Sequence, residues 1–180
     1  MPARPEPEET LHVVPECLVL QLTVLAALGS GLIADLFFTF SNTIMKALSR
    51  MPPEQGMAAM QHINVVILNP VFLGIFVGTA LLGVVLGLRA VLSPQGWTAI
   101  WLIVGALAYV VGSFALTRIV NVPMNDALAR ADATASVAAV QWPAYVGPWL
   151  RWNHVRTVAS IAAALAFTLA AIQMSRATAA

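Results

Sequence analysis

Four long apolar runs dominate the chain, and short polar stretches punctuate them. The first runs from about Leu18 to Leu48, the second from Val71 to Leu92, the third from Trp97 to Val120 and the fourth from Trp152 to Met174. Each is too long for a strand and matches the ~20 residues a helix needs to cross a bilayer. Pro52-Pro53 closes the first run, and Asn69-Pro70 marks a break before the second, because the residue before a proline avoids the helical region. Between them, residues 54–68 mix Met57, Met60, Val65 and Leu68 with Gln55, Gln61, His62 and Asn64, which predicts a short interfacial helix. Pro123 is expected to kink or stop the third run. Residues 126–150 form a long connection before the fourth, in which the alanine-rich stretch Asp126 to Ala139 predicts one or two surface helices. The expected fold is therefore all-α: an integral membrane four-helix bundle with short interfacial helices in loops one and three.

Composition strengthens this reading. Of the 180 residues, 59% are apolar and 9% are charged, where a soluble domain carries about a quarter charged residues. A net charge of +1 offers nothing for nucleic acid, so the expected partner is the lipid bilayer. Residues 1–16 are acidic and proline-rich and read as a disordered tail without signal-peptide character; residues 17–176 read as one transmembrane domain. Cys17 cannot form an internal disulfide.

Lys46, Arg50, Arg118, Arg130, Arg151 and Arg156 flank loops one and three, against Arg4, Arg89 and Arg176 at the other end. The positive-inside rule then puts those loops in the cytoplasm and both termini outside it, with a bacterial inner membrane as the expected location. Gly74, Gly78, Gly83 and Gly87 on the second run, with Gly105 and Gly112 on the third, offer close helix approach and permit a homodimer without requiring one.

The chemistry gathers at one end of the runs. Asn42 closes the first, Asn69 opens the second, Asn121 and Asn125 follow the third, and Trp152-Asn153-His154 opens the fourth, all on the expected cytoplasmic side. His62 lies in the loop over them. On the fourth run Trp149, Asn153, Arg156 and Ser160 share one helical face, and His154 lies about 100° round from Asn153. Thr117 and Asn121 share a face on the third. Asp35, inside the first run, should face the interior and pair with Arg118 or Arg156, since an unpaired intramembrane carboxylate is costly. Trp142, Tyr145, Trp149 and Trp152 predict an aromatic belt at the membrane boundary. Each amide also has a plainer use as a helix cap. His62 and His154 leave haem or metal ligation open, although no paired-ligand motif is present and no cofactor is expected.

The run from Gly31 to Phe76, together with Asn121-Val122-Pro123-Met124-Asn125-Asp126-Ala127-Leu128 and the Trp149, Trp152-Asn153-His154-Val155-Arg156-Thr157 pattern, resembles the anthrone oxygenase-like (DUF1772) membrane proteins over about residues 25–172. The resemblance implies a membrane oxygenase acting on anthrone-like polycyclic phenols, and marks Asn42, Asn69, Asn121, Asn125, Asn153, His154 and Arg156 as site positions. Such a reaction needs no metal if the substrate is first deprotonated. His154 is then the expected base, with Asn153 and Arg156 as donors to the developing oxyanion. Asn42, Asn69, Asn121, Asn125, His62 and Trp152 would contact a hydrophobic aromatic small molecule, with Phe37, Phe38, Phe40 and Phe72 against its rings. Two other classes remain: a haem- or small-molecule-binding membrane protein without turnover, and an accessory subunit of a membrane complex.

Overall fold

The computed structural model describes residues 16–179, so the acidic tail expected over residues 1–16 lies almost wholly outside the described residues. Among the described residues every regular element is helical. Helix α1 spans Glu16–Leu48, α2 Pro53–Val66, α3 Pro70–Leu92, α4 Gly96–Ala129 and α5 Ala135–Ala179. Four of them, α1, α3, α4 and α5, are long and apolar enough to cross a membrane, and the protein is an integral membrane four-helix bundle. Around the bundle α1 packs on α5, α5 on α4 and α4 on α3, while α3 meets α1 more lightly.

Glycines set several of these contacts. A Cβ on Gly105 would stand 2.8 Å from the Phe167 ring, and one on Gly112 would stand 2.6 Å from Ala159 Cβ, so α4 and α5 touch nearly backbone to side chain. Gly87 meets Ala106 in the same way between α3 and α4. Gly74 and Gly78, expected to seat a helix, have nothing within 4 Å of an added Cβ. They line a groove on the outer side of the α1–α3 contact, which is itself close where Gly29 meets Thr79.

The helices expected in loop three are present but joined to their neighbours. Helix α4 runs through Pro123 to Ala129 because a π-helical turn, Thr117–Asn121, widens the backbone just before the proline. Helix α5 begins at Ala135 and is 45 residues long, ~68 Å at 1.5 Å per residue, so it extends well past a ~30 Å hydrocarbon core. Pro143 and Pro148 lie inside it. Each costs about 3 kcal/mol in a helix interior, and burial of Trp142, Tyr145 and Trp149 on the same stretch offsets that cost.

These three aromatics therefore do not form the membrane-boundary belt that the sequence suggested. They are 3%, 7% and 3% exposed. With Met45, Met57, Met60 and Leu128 they build a second core, a cap over one end of the bundle, into which α2 is packed. Gly56 fits there because a side chain would collide with the Leu48 carbonyl and the Trp142 ring. The membrane core below contains Phe37, Phe76, Leu102, Tyr109 and Phe167. A cavity, the candidate site, lies where the two cores meet.

Candidate functional site

Helical phase on α5 sets the first wall of the site. Trp149, Asn153, Arg156 and Ser160 all point inward and are buried, as their spacing predicted. Asn153 is fully enclosed: its Nδ2 donates to the Phe37 carbonyl at 2.7 Å and to Ser41 Oγ at 2.6 Å, across to α1. Its Oδ1 accepts from Arg156 Nη2 at 2.5 Å. Arg156 Nη1 donates to Thr117 Oγ1 on α4 at 3.1 Å, and that hydroxyl donates to the Ser113 carbonyl at 2.7 Å. Below it Ser160 Oγ donates to Ser113 Oγ at 2.9 Å. One asparagine and one arginine thus tie α1, α4 and α5 together.

Arg156 is 4% exposed and has no carboxylate partner among the described residues. Its guanidinium carbon lies 4.1 Å from the Phe37 ring centroid and 5.4 Å from that of Trp149. Ring faces carry a negative quadrupole and stabilise a cation, by ~2 kcal/mol when water is excluded. Neutral oxygens and two rings do not cancel a full charge removed from water. Its Nε–H also lacks a partner among the described residues.

A cavity of about 500 Å³ opens in front of this cation. Phe37, Phe40, Phe72 and Trp149 line it, with Leu36, Ile67 and Leu68 at its apolar side and Gln61, Asn64, Thr117, Asn125 and Asp126 as its polar groups beside Arg156. Asn125 Oδ1 accepts from Tyr145 Oη and Trp149 Nε1, both at 2.9 Å, which fixes that wall. Gln61 Nε2 is committed to the Leu128 and Ala131 carbonyls at 2.8 and 2.9 Å, which locks α2 over the cavity. Asn64 Nδ2 is buried beside the Tyr145 hydroxyl; an amide carries two N–H groups, so one remains for a ligand. π-helical turns at Phe40–Ile44 and Thr117–Asn121 flank the cavity; such turns recur at functional sites because they re-aim side chains out of the regular repeat.

The sequence-predicted residues divide sharply. Arg156 and Asn125 line the cavity, and Asn153 holds Arg156 from behind. Asn121 is 1% exposed, between the cavity-lining Thr117 and Asn125 on one helical face, with both side-chain polar atoms unpartnered. The other predicted contacts sit on the surface. Asn42 accepts from Lys46 Nζ at 3.0 Å. Asn69 caps α3 by accepting from the Val71 and Phe72 amides. Trp152 is 41% and Phe38 51% exposed. His62 and His154 are exposed, on α2 and α5, and neither lines the cavity. The structure therefore does not bring the two imidazoles to one pocket, and among the described residues no three of His, Cys, Asp and Glu converge.

Asp35 also departs from expectation. It faces outward, and the one ion pair among the described residues is Arg89–Glu16 at 2.8 Å, at the opposite end. Arg156 takes neutral partners instead, and Arg118 is exposed. Sequence reading passed over Asn64 and Asp126 as cavity groups. Asn64 belongs to the expected interfacial helix, and nothing in local spacing reveals that α2, packed through Gly56, Met57 and Met60, brings Asn64 to the cavity wall.

Fold and site together define a membrane-embedded helical protein with an aromatic-lined, cationic cavity at one end of the bundle. The anthrone oxygenase family profile matches residues 70–166, and the chain belongs to that family. The match takes in α3, α4 and most of α5, including Phe72, Thr117, Asn125, Trp149, Asn153 and Arg156. Comparison with curated proteins and with solved structures gives no match.

Proposed function

We propose that the cavity binds an anthrone-like polycyclic phenol as its enolate or phenolate and promotes its oxygenation by O₂ to the quinone. The observation that carries this reading is Arg156: a buried cation without a carboxylate, held between Phe37 and Trp149, facing a cavity large enough for fused rings. Such a charge favours a ligand that brings the missing anion, and the aromatic walls favour a flat one.

The chemistry balances without a redox partner in the protein. Loss of a methylene proton from an anthrone gives an enolate. Its carbon donates electrons to O₂ and forms a C–O bond, and protonation of the distal oxygen gives a hydroperoxide. Loss of water from that species leaves the quinone carbonyl, so one anthrone and one O₂ become one quinone and one water. Arg156 would stabilise the enolate oxygen, and Asn64 would donate to a second ring oxygen. Asp126 is the carboxylate of the lining and the group best positioned to take the proton. The exposed position of His154 lends no support to it as the base.

The test is turnover of anthrone by protein in lipid nanodiscs, followed by anthraquinone absorbance. Arg156→Gln should lower the rate about 10²–10³-fold, the usual loss for one oxyanion donor. Binding without any turnover by the parent protein would instead make it a carrier of such compounds.

A further inference from the structure

The cavity does not end inside the bundle. Leu36, Ile67 and Phe72 belong both to its lining and to a groove of about 370 Å³ on the lipid-facing side of the α1–α3 cleft. Leu32 and Ile75 continue that groove into a second one of about 660 Å³, which passes Gly74 and Gly78. A continuous groove therefore runs along the outer side of the α1–α3 contact to the cavity, apolar except at Asp35, Thr39 and Asn69. Val71, at 72% exposed, and Leu68, at 60%, rim it on the lipid side. Asp35 stands in the groove with no charged partner among the described residues. A carboxyl group facing lipid gains from a hydrogen-bonding ligand, and its oxygen can accept a hydroxyl.

We propose that the α1–α3 cleft is a membrane-side vestibule for the ligand of the cavity: an apolar polycyclic phenol enters it from the bilayer and donates its hydroxyl to Asp35. From there it passes Leu36, Ile67 and Phe72 into the cavity. Ring systems of this class concentrate in the hydrocarbon, so a lipid-side opening meets the ligand where it is most abundant. The opposite face of the cavity, at Gln61 and Asp126, is polar and suits protons and water.

This inference rests on the cavity binding phenols, so the experiment separates the two. The probe is 1,8-dihydroxyanthraquinone, a coloured phenol that does not turn over, delivered from phosphatidylcholine vesicles to the protein in phosphatidylcholine nanodiscs and followed by stopped flow. Gly74→Leu with Gly78→Leu narrows the groove at positions where an added Cβ meets nothing within 4 Å, and a thermal midpoint at the parent value is the control for folding. Association and dissociation should both slow about tenfold while equilibrium affinity stays at the parent value. Asp35→Ala should slow association about threefold, and Asp35→Asn, which keeps a hydrogen-bonding oxygen, should recover most of the rate. Parent-like rates in the double variant overturn the vestibule and leave the cavity reading standing. A parent protein that binds no probe overturns both. A double variant that loses bound phospholipid or a second copy of the chain, with probe kinetics unchanged, reassigns the cleft to that occupant and overturns the proposal.

Discussion

Arg156 sets its guanidinium carbon 4.1 Å from the centre of the Phe37 ring, so a full positive charge at the junction of two cores rests against an aromatic face on the neighbouring helix. A protein built only for stability gains little from this. Buried ionic groups replaced by apolar ones of similar volume often leave stability unchanged or improved, by about 1–4 kcal/mol. The arrangement suits a site that awaits an anion.

That contrast gives the first prediction. Arg156→Met removes two hydrogen bonds and leaves Asn153 Oδ1 and Thr117 Oγ1 short of a donor, at about 1–3 kcal/mol each if buried. It also discharges a buried cation. The two effects oppose each other, so the thermal midpoint in detergent should stay within a few degrees of the parent while anthrone turnover falls at least a hundredfold. A collapse of the midpoint would make Arg156 a structural keystone.

Asn153→Asp separates charge from shape. The new carboxylate would sit where Oδ1 now accepts from Arg156 at 2.5 Å and would neutralise it from behind. The variant should bind 1,8-dihydroxyanthraquinone at least tenfold more weakly than the parent. Asn153→Ala, by contrast, should lose about 1–3 kcal/mol of stability through the broken link to Phe37 and Ser41. Equal probe affinity in Asn153→Asp and the parent would remove Arg156 charge from the account of binding.

Much of this was legible in the chain, and the reason is periodicity. The four spans follow from apolar length alone, and the buried face of α5 follows from the spacing of Trp149, Asn153, Arg156 and Ser160. The same spacing put His154 about 100° off that face, and its exposure is the direct consequence. The expectation that favoured it weighed residue type above helical phase. Asn69 stands at a helix start as predicted, whereas Asn42 lies in a π-helical turn inside α1; local partners engage both, the first α3 amides and Lys46. What sequence could not reach is tertiary: that α2 folds over the bundle and brings Asn64 to the cavity, and that Trp142, Tyr145 and Trp149 cover a cap instead of meeting headgroups. Asp35 escaped because an outward carboxylate has no local signature; only the groove beside the α1–α3 contact gives it a place.

Packing predicts a contrast between two glycines. Gly105→Ala pushes a methyl to 2.8 Å from the Phe167 ring, which is fully buried and has no room to retreat. Overpacking of this kind costs about 1–3 kcal/mol, so the thermal midpoint should drop by several degrees. Gly78→Ala meets nothing within 4 Å and removes a mid-helix glycine, so its midpoint should hold or rise. Equal effects at both sites would mean that α4 and α5 are less tightly seated than the structure has them.

Orientation in the membrane can be tested at Ala177, near the end of α5. With Arg156 inside the bundle, Lys46, Arg50, Arg130 and Arg151 still cluster at the capped end, whereas Arg89 and Arg176 lie at the other. The positive-inside rule therefore puts the cap in the cytoplasm and the end of α5 outside it. A reporter that is active only in the cytoplasm, fused at the end of α5, should be silent. Strong activity would reverse the topology.

The choice of base is the last and sharpest test. Asp126 is exposed, as His154 is, but unlike His154 it lines the cavity, and it forms no ion pair with Arg156. His154 has its side chain on the exposed face of α5. A general base contributes about 10²–10⁴-fold to rate. Asp126→Asn keeps size and polarity but cannot take the proton, so turnover of anthrone should fall at least a hundredfold with probe affinity nearly unchanged. His154→Gln should turn over within about twofold of the parent. Raising the pH separates a lost base from a disturbed pocket, because hydroxide deprotonates anthrone directly: Asp126→Asn should regain rate as pH rises, whereas Arg156→Gln, which lacks the oxyanion donor, should regain much less. If His154→Gln fails and Asp126→Asn does not, the proton leaves by the outer face of α5, and the polar mouth at Asp126 has another purpose.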